Sequence, residues 1–103
     1  MRYQNWNRYK SRGESAIASY LDQQHIDFTY EKPIAVVDSG KTKIWYPDFH
    51  LDNYHILIEY LGMNRNPNNA RLNEHKRKVY RQNRIDVVEI YPEDFKEIGR
   101  AHV

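Results

Sequence analysis

The sequence predicts a mixed α/β domain built around a small sheet, and three observations carry that expectation. Two apolar runs, Tyr46-Pro47-Asp48-Phe49-His50-Leu51 and Ile56-Leu57-Ile58-Glu59-Tyr60, flank a short polar connection and read as paired strands. Ahead of them, Ile17, Ala18 and Leu21 recur at helical spacing. Behind them come a second helical segment, at about residues 70–83, and a further apolar run at residues 85–91. The order is helix, three strands, helix, strand and a short final helix, which calls for a mixed sheet flanked by helices.

The first helix is expected to begin near Ser11 and to run to about His25. Ser11-Arg12-Gly13-Glu14 fits a capping box, with Ser11 as N-cap and Glu14 reaching back. Ile17, Ala18 and Leu21 form its buried stripe, with Tyr20 as a further candidate. Glu14 lies three and four positions before Ile17 and Ala18, so it falls inside that stripe; capping explains it as well as a functional role does. A strand follows at residues 28–31, with an extension through Pro33 to Val37 as an option. Asp38-Ser39-Gly40-Lys41 signals a turn. Residues 62–69 are rich in Asn, Pro and Gly and read as a loop before the second helix. Pro92-Glu93-Asp94 opens the short final helix with acids in its first turn.

At 103 residues the chain suits one domain, with residues 1–12 as a basic, aromatic N-terminal arm. A hydrophobic share of 40% against 29% charged favours a folded chain over disorder. The absence of cysteine excludes disulfides, thiolate catalysis and cysteine-based zinc sites. No apolar run approaches a membrane span and the N-terminus lacks a signal-peptide core, so a cytoplasmic protein without a membrane partner is expected.

The net charge is only +2, but its distribution is uneven. Residues 1–12 hold Arg2, Arg8, Lys10 and Arg12 with no acid. From Arg65 to Arg84 seven basic residues stand against Glu74 alone. Two basic segments around an acidic centre suit a polyanion, although a solvated helix face explains the second equally simply. In the arm, Tyr3, Trp6 and Tyr9 alternate with the cations. Such spacing suits either stacking on bases or one face of a short helix packed on the body or on another subunit.

Asp48 and Glu59 each sit in a run that is otherwise apolar. Pro47 argues against a central ladder position, placing Asp48 near a strand start or a bulge. The two acids share a sheet face only if the hairpin parity is right. A four-residue loop from Asp52 to His55 would pair them, and a two-residue turn at Asp52-Asn53 would make them diagonal neighbours. Three- or five-residue loops would separate them. The plainer alternative leaves Glu59 on an exposed edge and Asp48 merely starting a strand. Two buried acids close together need cationic compensation, and a hard oxygen site points to magnesium or manganese. No histidine pair has convincing zinc spacing. His50, His55 and His75 read as surface or supporting residues, with His50 the best placed because it shares the face of Asp48.

The order α-β-β-β-α-β, with Pro47-Asp48 and then Glu59 in the next strand, resembles the PD-(D/E)xK nuclease superfamily. Its small Holliday-junction resolvases, very-short-patch-repair-type endonucleases and helicase-associated nuclease domains are the most similar branches. The likeness runs through Ser11 to Leu21, Tyr46 to Gly62 and Lys76 to Asp94. It implies a minimal restriction-endonuclease-like core and a metal-dependent endonuclease acting on DNA that is branched or otherwise structured. It further implies Asp48, Glu59 and the Tyr60 carbonyl as ligands of Mg2+ or Mn2+, with Glu14 acting through a water or on a second ion.

The chain departs from the family at one point, because the position two after the second acid is Leu61 where a lysine is usual. Lys76 on the second helix is the best replacement. With Leu72 at zero on a helical wheel, Val79 falls about 20° to one side and Lys76 about 40° to the other, whereas Lys78 points away. The cations expected on nucleic acid are Arg2, Arg8, Lys10, Arg12, Arg71 and Arg77. So small a chain is expected to cover two strands as a homodimer. The rivals are a nuclease of the same fold that cuts ordinary DNA and a non-catalytic nucleic-acid-binding module.

Overall fold

In the computed structural model, which describes residues 8–62 and 67–95, helix α1 (Arg12–Gln23) starts at the expected cap. The Ser11 hydroxyl accepts the Glu14 N–H at 3.1 Å. Glu14 reaches back one residue further than a capping box requires, accepting the Lys10 N–H at 3.0 Å. The helix ends with His25 in the left-handed region (φ 57°) and the Ile26 N–H bonded to the Leu21 carbonyl at 2.9 Å. Helix α2 (Pro67–Gln82) ends the same way: Arg84 has φ 57°, and the Ile85 N–H reaches the Tyr80 carbonyl at 2.9 Å. Both ends are Schellman closures made without glycine.

Six strands lie between and after the helices: β1 (Phe28–Tyr30), β2 (Ile34–Asp38), β3 (Lys41–Trp45), β4 (Phe49–Leu51), β5 (Ile56–Tyr60) and, after α2, β6 (Asp86–Ile90). Five of them, rather than the expected three, separate α1 from α2. The optional run from Phe28 to Val37 is broken at Glu31, whose φ is 51°, and at Pro33, which has no N–H to give a ladder. The expected strand over residues 46–51 shortens to β4, and the residues before it form β3 instead. Residues 92–95 make the short final helical turn.

The main sheet has the order β1-β4-β5-β6, antiparallel except for the parallel β5–β6 pair. Strands β2 and β3 form a separate hairpin. Its two-residue turn has Ser39 at φ 53° and Gly40 at φ 78°, the doubly left-handed geometry that matches strand twist. With the hairpin set aside, the main elements run α-β-β-β-α-β. The molecule is therefore a mixed α/β fold with a mixed sheet flanked by helices. Among the described residues no helix is long and apolar enough to cross a membrane.

Alternation along the strands divides the core between two faces. On one, Ile17, Ala18 and Leu21 of α1 pack against Phe28, Phe49, Leu51 and Ile58. On the other lie buried Leu57 of the sheet and Val79 and Tyr80 of α2. Each fully buried side chain of this size contributes roughly 1.5–3 kcal/mol. The hairpin is fastened to α2 by polar contacts. Asn83 accepts the Val37 N–H at 2.8 Å and donates to the Val37 carbonyl at 2.9 Å, so its amide completes the strand edge. His75 Nε2 and Lys43 Nζ lie 2.8 and 2.9 Å from Asp38 Oδ2. These contacts hold the Asp38 carboxyl down at about 2, His75 contributing most. Replacing Asn83 with alanine leaves the Val37 groups without their partner. Denaturant unfolding of Asn83→Ala should show a loss of about 0.5–1.5 kcal/mol, since water can reach the freed Val37 groups, with the near-ultraviolet signal of Trp45 changed.

Candidate metal and phosphate site

The β4–β5 register pairs Leu51 with Ile56, His50 with Leu57 and Phe49 with Ile58. The turn is thus the four-residue one, 52–55, and one further step sets Asp48 opposite Glu59. Glu59 is not on an exposed edge: β5 is an interior strand, and the residue is only 8% exposed. Asp48 stands just before β4, as Pro47 requires. Its Oδ2 accepts the Tyr60 N–H at 2.7 Å. The next N–H, that of Leu61, turns the other way to the Ile90 carbonyl of β6 at 2.8 Å. Since N–H and C=O of one strand residue project to the same side, the Tyr60 carbonyl lies on the Asp48 side.

Glu14 joins the pair from the start of α1 and is 5% exposed. Its Oε1 accepts the Tyr30 hydroxyl at 2.6 Å as well as the Lys10 N–H. Gly13 explains how the helix comes so close. A Cβ there would meet the tip of the Tyr60 ring and force it to shift, so glycine lets the ring keep its place despite a cost in a helix of about 1 kcal/mol. Burial pushes the Asp48 carboxyl up to about 7, and the charges of Glu59 and Glu14 push the same way against the Tyr60 N–H and Lys10. Burial also raises Glu59, offset in part by Lys76, the Asp48 backbone and the Tyr80 hydroxyl. That hydroxyl donates to Glu59 Oε1 at 3.3 Å.

Lys76 faces the sheet as the wheel requires, its Nζ 3.8 Å from Glu59 Oε2. Leu72, on the same stripe, is not in the core but 60% exposed. Lys10, Glu14, Asp48, Glu59, Tyr60 and Lys76 line one open cavity of about 520 Å³, with Leu72, His75 and Trp45 also on its walls. Lys10 is additionally paired with Glu31 at 2.8 Å, which raises its pKa.

The other expected contacts divide. Arg8, Arg12 and Arg71 are exposed. Arg77 is engaged by Glu89, with Nε 2.9 and 2.8 Å from its two oxygens, and lines a second groove that shares Lys76 and Glu59 with the cavity. Of the arm aromatics, Tyr9 packs on the body, edge-to-face on Tyr30 at 4.8 Å. Arg2, Tyr3, Trp6 and Arg65 lie outside the described residues. His50 does not line the cavity; it turns to Asp52, with Nδ1 3.0 Å from Oδ1. His75 is the histidine at the cavity wall.

Among the described residues no group of three or more His, Cys, Asp or Glu side chains is gathered to enclose a metal. A cation here would rest on Asp48 and Glu59 with the Tyr60 carbonyl beside them. That hard, partial donor set fits magnesium, which keeps several waters and binds through one or two carboxylates. A cation there would also offset the burial and like charges that push the Asp48 carboxyl up. Sequence reasoning missed Tyr30 and Tyr80, whose hydroxyls each hold one acid, because both reach their partner from distant parts of the chain. It also missed the meaning of Gly13, although glycine inside a capping box is itself a signal. Comparison with protein-family models, with curated proteins and with solved structures finds no match.

The folded protein keeps a proton on Asp48 up to about pH 7, whereas the unfolded chain loses it near the ordinary value of 3.8. The folded state binds more protons across that window, so stability without metal should fall as pH rises from about 4 to about 7. Asp48→Asn should flatten this slope and exceed the parent at pH 8 by about 1–2 kcal/mol, water at the cavity mouth screening the rest. Denaturant unfolding in chelator at a series of pH values measures both.

Proposed function

We propose that this chain is a metal-dependent endonuclease that hydrolyses DNA phosphodiester bonds, at branched or otherwise structured sites. The observation that carries the reading is half-buried Asp48 set opposite buried Glu59, with the Lys76 ammonium 3.8 Å from Glu59. The α-β-β-β-α-β order of the main sheet supports a restriction-endonuclease-like core and membership of the PD-(D/E)xK superfamily, with the lysine moved from position 61 to Lys76. Asp48, Glu59 and the Tyr60 carbonyl would hold Mg2+ or Mn2+. When bound, that ion supplies an acidified water and neutralises charge on the phosphate oxygens.

The remaining work falls to the chain's own groups. Asp48, fixed by the Tyr60 N–H, and Glu59, fixed by Tyr80, present defined oxygens to the cavity. Lys76 positions the attacking water and stabilises the charge that grows on phosphorus-bound oxygen. Glu14, held by Tyr30 and the Lys10 N–H, accepts a hydrogen bond from a water beside the pair. Lys10, with Arg8, Arg12 and Arg71, draws the polyanion to the acids. Two copies would serve two strands, so the working unit is a homodimer. The loss of lysine at Leu61 favours one other reading, a nucleic-acid-binding module without catalysis.

The test uses a labelled four-way junction and a matched linear duplex, with Mg2+, Mn2+ or chelator. Metal-dependent cleavage of the junction is expected. Asp48→Asn should lower the rate at least about 10³-fold and Lys76→Ala about 10²–10³-fold, without loss of fold. Equal cleavage of both DNAs would leave a general nuclease, and tight binding without cutting under any metal would overturn the enzyme reading.

A further inference from the structure

Leu72, Lys76 and Val79 share one stripe of α2, yet their surroundings differ sharply. Val79 is 1% exposed in the core, Lys76 meets Glu59, and Leu72 is 60% exposed on the cavity wall. The stripe that packs the helix on the sheet therefore continues past the packed region and carries an apolar side chain over an open cavity. Trp45 lines the same cavity, half-buried and held edge-to-face on Tyr80 with ring centroids 5.3 Å apart. Single exposed leucines are ordinary on a surface. An aliphatic and an indole lining a cavity that also holds two cations and three acids are a more specific combination.

We propose that the cavity receives one unpaired nucleotide, its base against Trp45 and Leu72 and its phosphate among Asp48, Lys76 and Lys10. The charge pattern selects this occupant: an anionic phosphate matches the lysines and the acid-bound cation, and a flat apolar base matches the indole and leucine. About 520 Å³ is in the range of small-molecule sites and holds a nucleotide. A base inside a duplex is stacked and paired, so it reaches such a wall only after unpairing. Single strands, flaps and forked ends are then the preferred substrates over continuous duplex. The phosphate position rests on the nuclease reading above; the base position rests on Trp45 and Leu72.

Trp6→Phe leaves Trp45 as the sole tryptophan of the two in the chain, and Ca2+ in place of Mg2+ allows binding without cutting. This protein is titrated with a thymidine-rich single strand and with the same sequence as duplex, following Trp45 fluorescence and affinity. The single strand should quench Trp45 and bind at least about tenfold tighter than duplex. Leu72→Ser, checked for an unchanged melting temperature, should weaken single-strand binding about five- to tenfold. Equal affinity for the two DNAs, or binding of the single strand with no change in Trp45 emission, would overturn the proposal. Cleavage assays in Mg2+ separate the two claims. Equal cutting of single strand and duplex sinks the unpaired nucleotide and keeps the nuclease. Quenching by single strand without any cleavage keeps the base site and sinks the nuclease.

Discussion

The register of the β4–β5 hairpin is the constraint on which the rest of the site depends. A connection one residue shorter or longer would send Glu59 to the α1 face while Asp48 stayed where it is. With the four-residue connection the two acids meet, and their proximity creates the electrostatic problem that the surrounding groups answer. The Tyr60 N–H holds one carboxylate, Tyr80 and Lys76 hold the other, and burial keeps water from doing the same work. The alternative of two unrelated surface acids would need none of this.

The three acids are supported from three parts of the chain, and each support also joins two elements. Tyr30 ties Glu14 of α1 to β1, Tyr80 ties α2 to Glu59 of β5, and the Tyr60 N–H ties β5 to Asp48 beside β4. Charge repulsion that would splay the acids is therefore resisted by the same bonds that assemble the layers. The site is costly for the unliganded fold, since buried carboxylates crowd one another, and a bound cation would return that stability.

How much of this was legible in the sequence differs from one element to the next. The Asp48–Glu59 pairing was readable only as one of two outcomes that parity allows, since the turn residues permit the four-residue connection without choosing it. Lys76 was readable because helical geometry fixes direction to within tens of degrees. The hairpin of β2 and β3 was not, and the reason is physical. β3 is exposed from Lys41 to Ile44, and its contact with the body runs through Lys43 to the Asp38 carboxylate that His75 also meets, so no apolar alternation marks the strand. Leu72, 60% exposed on the stripe that serves as the wheel's reference, shows a related limit. A periodic stripe reports which way a side chain faces but not whether anything stands opposite, and here the sheet ends before the helix does.

The inserted hairpin leaves and re-enters the core at nearly one point, because the Glu31 N–H is bonded to the Asp48 carbonyl at 2.9 Å. An excursion whose ends are already joined can change in length with little effect on the framework beneath, as loop closure depends only weakly on loop length. The acids belong to that framework, while Trp45 belongs to the excursion. The acids and the indole are thus carried on separately variable pieces of chain. Lengthening, trimming or reshaping residues 32–46 would alter the wall that Trp45 gives the cavity while leaving the three acids in place.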